Sequence, residues 1–197
     1  MAGPSFAVAL FPGVEELDWA GPWEVLSGWA RGWPDDGASA FTVADTDGVI
    51  ACARGARVLA DHTWATAPPF DVLVWPGGPG TAALLGDEAV RGRLRAAVVA
   101  GAVVATVCTG ALVAADAGLL DHRPATTYWS SLDQLGRLGT GIELRPDARY
   151  VDDGEVITAA GVSAGIDMAL HLVRRFGSQQ RARDVRRWIQ YDPQPPV

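Results

Sequence analysis

The chain has 197 residues, 49% of them hydrophobic and 20% charged, with a formal net charge of −7. This is the composition of one globular domain with a full core, 1–197, and its acidic balance argues against nucleic acid as the main partner. No apolar run approaches the roughly 20 residues that cross a bilayer, and the N-terminus has no basic region, so neither a membrane nor a signal peptide is expected and the default location is cytoplasmic.

Residues 6–11 read as a buried strand turned by Pro12-Gly13. Residues 14–19 read as a short helical turn, broken at Gly21-Pro22, with Pro22 opening a second helix. Residues 40–44 form a strand, and 49–53 with 57–60 a hairpin around Gly55. Residues 70–75 are another buried strand. It ends at Pro76-Gly77-Gly78, where the glycines either let backbone come close to something or merely make a turn. Residues 88–100 carry Val90, Leu94 and Ala97 on one helical face. After a strand over 103–107 come helices over 111–117 and 129–138, then short strands at 142–144 and 150–151. A buried strand over 156–160 ends at Gly161. The apolar series Val162, Ile166, Leu170, Val173 and Phe176 marks a long helix, 181–189 a basic one, and 191–197 a proline-rich tail. Strands alternating with helices predict a flavodoxin-like α/β three-layer sandwich, a mostly parallel sheet with helices on both faces. Ligands of such sheets bind at the carboxyl ends of the strands.

The strand at 103–107 runs into Cys108-Thr109-Gly110 and then a helix. That pattern is a nucleophile elbow, and the helix N-terminus beyond it favours thiolate. A buried structural cysteine would give the same pattern. Cys52, inside a short strand, reads as structural. The three histidines (His62, His122 and His171) have no neighbours at metal-ligand spacing, so no metal is expected.

Taken in order, Phe11-Pro12-Gly13, Leu17-Asp18, Gly21-Pro22-Trp23-Glu24-Val25, Trp75-Pro76-Gly77-Gly78, Val107-Cys108-Thr109-Gly110-Ala111, Arg123-Pro124-Ala125-Thr126-Thr127, the run 160–167 and the tail 191–196 resemble the ThiJ/PfpI superfamily of the class I glutamine amidotransferase-like fold. The pattern is most similar to its isonitrile hydratase branch. The resemblance implies catalysis by Cys108, Asp18 and Thr109, where other branches carry glutamate in the first loop. It also implies a small-molecule substrate, no cofactor and a homodimer. Regulators that share the module carry a helix-turn-helix domain behind it, which is not expected here. Many members have histidine where this chain has Tyr128, which removes an obvious Cys–His pair.

The chemistry that follows is addition of the Cys108 sulfur to an isonitrile carbon, giving a thioimidate that water converts to an N-substituted formamide. A carboxyl group beside the thiol would be a usable acid. Backbone N–H groups of Gly78 and Thr109 are the expected anion donors. Trp19, Gly77, Tyr128, Trp129, Gly161 and Val162 are expected to line the substrate pocket. The alternatives are a redox-sensing or repair protein (glyoxalase- or deglycase-like) that uses the same cysteine, and a non-catalytic ligand-binding module. Four tryptophans within 19–33 are more than one helix is expected to bury against its own sheet, and a dimer interface there would explain them.

Overall fold

The apolar runs of the sequence become strands and helices in a computed structural model that describes residues 3–192. In chain order the elements are β1 (Ser5–Ala9), α1 (Glu16–Gly32), β2 (Ser39–Ala44), β3 (Ile50–Ala51), β4 (Arg57–Val58), β5 (His62–Thr63), β6 (Val72–Trp75), α2 (Thr81–Leu84), α3 (Glu88–Val99) and β7 (Val103–Val107). There follow α4 (Gly110–Asp116), β8 (Pro124–Ala125), α5 (Leu132–Leu138), β9 (Glu143–Leu144), β10 (Tyr150–Asp152), β11 (Val156–Ala159), α6 (Ala164–Phe176) and α7 (Gln179–Trp188).

Seven strands make one sheet in the order β10-β11-β7-β6-β1-β2-β5. Every neighbouring pair is parallel except β10–β11 at the edge. Side chains alternate between its faces, as the two-residue period of a strand requires. Phe6, Val8, Val72, Val74, Val103, Ala105 and Val107 join Leu26, Met168, Leu172 and Val185 from α1, α6 and α7. Ala7, Leu73, Trp75 and Val104 join Val90, Leu94, Leu112 and Leu135 from α3, α4 and α5. The result is the three-layer sandwich that the alternating pattern predicts. Register sets Trp75 opposite Thr106 and Val107 opposite Ala159, so β6, β7 and β11 end at nearly the same height and their loops meet. The hairpin around Gly55 is present as the β3–β4 pair.

One expectation is corrected. The helical turn and the helix after Pro22 are one continuous helix, α1, with Pro22 inside it. An interior proline removes a hydrogen bond, at a cost of about 3 kcal/mol. Here Pro22 is buried, and its ring closes against Gly165 of α6. Tertiary packing therefore overrides the local break.

The tryptophans of α1 find partners within the chain. Trp29 is fully buried against Phe6, with ring centroids 5.7 Å apart, and its indole N–H donates to Asp36 (2.6 Å). Asp36 also accepts from Arg181 of α7, whose guanidinium lies 4.7 Å over the Trp33 ring. Trp19 and Trp23 pack partly buried on the core. The helices α6 and α7 beside α1 supply apolar surface that the sheet alone would not. The large aromatics left exposed are Trp129 and Trp188.

Trp29→Ala is therefore expected to cost about 3–5 kcal/mol of stability, because it empties a core site. Trp129→Ala, at a side chain 74% exposed, should stay within about 0.5 kcal/mol. Urea melts of the two variants check the contrast.

Candidate active site

Cys108 follows β7 with φ of +58°, and α4 begins two residues later. A left-handed residue between strand and helix lifts its side chain onto a sharp turn, the geometry of an elbow. Its backbone is held from two sides. The Cys108 N–H donates to the carbonyls of Ala159 (3.1 Å) and Ala160 (3.0 Å), and the Thr127 hydroxyl donates to the Cys108 carbonyl (2.6 Å).

Asp18 comes from the first turn of α1 and is completely buried. The Gly77 N–H donates to its Oδ2 (3.0 Å). Oδ1 is also buried, and the Cys108 thiol and the Val162 N–H act on this carboxyl. The two glycines after β6 make this approach possible. A Cβ on Gly77 would stand 2.4 Å from Thr109 Oγ1, and one on Gly78 would stand 2.4 Å from the Glu15 nitrogen. Gly78 also has φ of +124°, which side chains seldom adopt.

Burial sets the protonation state. Loss of solvent pushes the Asp18 carboxyl up to about 7, against the Gly77 hydrogen bond that favours the ionised form. Loss of solvent, and secondly the Asp18 charge, push the Cys108 thiol up to about 12, although the N–H groups of Thr109 and Val162 favour thiolate. The expected low-pKa thiolate is thus corrected: the start of a helix does not offset desolvation beside a carboxylate.

The anion donors also differ from expectation. The Gly78 N–H does not face the sulfur; it donates to Thr109 Oγ1 (2.9 Å). That hydroxyl also lies 3.0 Å from Thr81 Oγ1, so Thr109 braces the β6 loop through its side chain. The N–H groups acting on the sulfur are those of Thr109 and Val162. Val162 has φ of +48°, rare for a β-branched residue, and no sequence pattern announces it. Val162 was expected only as a pocket wall, and Thr127 and Thr81 contribute through hydrogen bonds that no sequence spacing marks.

The expected pocket residues separate into two groups. Gly77 and Val162 sit against the Asp18–Cys108 pair. Gly161 lies under Tyr128, where an added Cβ would be 2.3 Å from the ring, and Trp129 packs on Tyr128 at 5.6 Å. Trp19 is the exception: its indole N–H stands beside the Cys52 thiol, and its ring packs into the core. Cys52 is buried, its thiol pushed up first by desolvation and then by Glu16. His122 is packed against Gly141 on a separate loop. Among the described residues no group of three or more His, Cys, Asp or Glu side chains is placed to hold a metal, and no helix is long and apolar enough to cross a membrane.

A parallel sheet with a cysteine elbow and a buried carboxyl beneath it defines an α/β protein of the cysteine-elbow class. A model of the DJ-1/PfpI family matches residues 4–175, and the chain belongs to that family. It is 34% identical to isonitrile hydratase of Pseudomonas putida over 187 residues, which is 95% of this chain and 78% of that protein. It is 27% identical to protein dj-1beta of Drosophila melanogaster over 186 residues, 92% of this chain and 94% of that one. Among solved structures, a ThiJ/PfpI family protein from Pseudomonas syringae superposes with a TM-score of 0.86 at 32% identity. That match covers 100% of this chain and 78% of the other.

The Asp18 shift has a consequence for stability. A carboxyl whose pKa is raised on folding favours the fold most below its unfolded value, near 4, and loses that advantage as pH rises to about 7. Asp18→Asn keeps the shape without the charge. Its melting temperature is expected to gain on the parent's between pH 4 and 8, by the equivalent of a few kcal/mol. A difference that stays flat across this range would show that Asp18 titrates normally.

Proposed function

We propose that the protein hydrates isonitriles to N-substituted formamides through Cys108, with Asp18 as the proton carrier. The observation that carries this reading is the buried Asp18–Cys108 pair, in which the carboxyl titrates near neutrality and the thiol rests protonated. The 34% identity to an isonitrile hydratase supports it.

An isonitrile suits a protonated pair, because its terminal carbon must receive both a nucleophile and a proton. The Cys108 sulfur attacks that carbon while the Asp18 carboxyl gives it a proton. The thiol proton passes to the carboxylate so formed, and the net change is addition of S–H across the carbon to give a thioimidate. The N–H groups of Thr109 and Val162 offset negative charge on the sulfur as its proton leaves. Asp18 then gives its proton to the thioimidate nitrogen, and the carboxylate so formed orients water and accepts one of its protons as the oxygen attacks the carbon. The C–S bond breaks, the sulfur takes the remaining hydroxyl proton, and the formamide departs. No step needs a redox partner. The organic group of the isonitrile would rest on the Tyr128–Trp129 ledge.

A redox sensor acting through the same cysteine is the weaker reading. Oxidation goes through thiolate, and a thiol pushed up to about 12 supplies very little of it.

Purified protein should turn over a small isonitrile panel, with the formamide read by mass spectrometry, and leave methylglyoxal untouched. Cys108→Ser should abolish turnover and Cys52→Ser preserve it. Asp18→Asn should lose about 100-fold or more. The parent's rate should fall as pH rises past about 7, where Asp18 ionises, and that inflection should vanish in Asp18→Asn. Full activity in Cys108→Ser, or methylglyoxal consumption without isonitrile turnover, would overturn the assignment.

A further inference from the structure

The protein carries net negative charge, yet six of its sixteen cationic residues lie within 174–187. Three of them, Arg174, Arg183 and Arg186, line a cavity of about 310 Å³ between α6 and α7. This is the small end of ligand pockets, which run roughly 300–1,000 Å³. Leu170 and Ala182 give it apolar wall, and Tyr150 and Tyr191 give it aromatic wall.

Arginines outnumber carboxylates among the lining residues. Asp167 is the one carboxylate among the lining residues, and it is already engaged. Its Oδ2 accepts from Arg149 Nε (2.8 Å) and its Oδ1 from the Tyr191 hydroxyl (3.1 Å). Arg174 meets His171 Nδ1 (3.1 Å), and Arg186 Nε donates to the Tyr191 carbonyl (3.0 Å). Neither bond neutralises a guanidinium. His171 itself turns its other nitrogen to Asp152 (2.6 Å). Gln179, also in the wall, adds an amide. By contrast, Arg181 on the same helix is paired with Asp36 and Asp184 and takes no part.

We infer that this cavity is a binding site for a small phosphate monoester, its phosphate held by Arg174, Arg183 and Arg186 and its organic stem by Leu170, Tyr150 and Tyr191. Guanidinium forks match phosphate oxygens in pairs, and a dianion gains more from three cations than a carboxylate does. The cavity's lining residues include none of the residues that surround Cys108, so the site does not depend on the proposed hydration.

Isothermal titration with phenyl phosphate, inorganic phosphate, benzoate and phenol tests it. Phenyl phosphate is expected to bind saturably at one site per chain, more tightly than inorganic phosphate or benzoate, while phenol gives no heat. Tighter binding of inorganic phosphate than of the ester would refute the stem contacts. The double variant Arg174→Gln, Arg183→Gln alters exposed side chains, and circular dichroism checks its fold. It should bind phenyl phosphate at least about tenfold more weakly. Cys108→Ser should bind it as the parent does. Absence of saturable binding, or binding that the double variant leaves unchanged, would overturn the inference.

Discussion

The site depends on a carboxyl group with too few hydrogen bonds for its burial. Asp18 is fully enclosed and is reached by the Gly77 N–H at 3.0 Å, the Val162 N–H and a thiol. A carboxylate with three good N–H donors would stay ionised, and one in water would titrate near 4. With less, it keeps its proton to neutral pH, and its neighbour Cys108 keeps its own still longer. Much of the local backbone serves this arrangement. Glycines at 77 and 78 let the β6 loop close on both Asp18 and Thr109, and the Thr109 hydroxyl bridges that loop to the start of α4. The carbonyls of Ala159 and Ala160 fix the elbow from the next strand.

How much of this was legible depends on the range of each cause. Cys108 at an elbow is readable because a β-branched strand, a cysteine and a glycine-initiated helix are adjacent in sequence. The sandwich is readable because each strand is an apolar run bounded by Gly or Pro. The thiol's protonation is not, because it is set first by solvent exclusion from several elements and then by Asp18, 90 positions earlier. The Gly78 N–H was expected to face an anion, but a hydroxyl brought in by α4 takes it. Pro22 reads locally as a break, and only the close face of α6 shows why α1 runs through it. Trp29 and Trp33 look like surplus until Asp36 and Arg181, the latter nearly 150 residues away, close around them.

Charge is distributed with a similar division of labour. The proposed reacting pair is neutral overall when both groups are protonated, which favours an uncharged, rod-like substrate over an ion. The excess of arginine lies instead on α6 and α7, on the face of the sheet that also buries Phe6 and Trp29. Two chemistries of opposite preference can thus share one small sheet without competing for the same ligand.

Tyr128 and Gly161 divide one space between them. The ring fills the volume that any side chain at 161 would need, and it does so where β11 gives way to the strained Val162. Neither position is therefore free to drift alone. A smaller residue at 128 opens a void that a methyl group at 161 would partly fill, whereas a side chain at 161 requires that the ring leave first. The order in which such a lineage can exchange the two is fixed by sterics: the aromatic must go before the glycine.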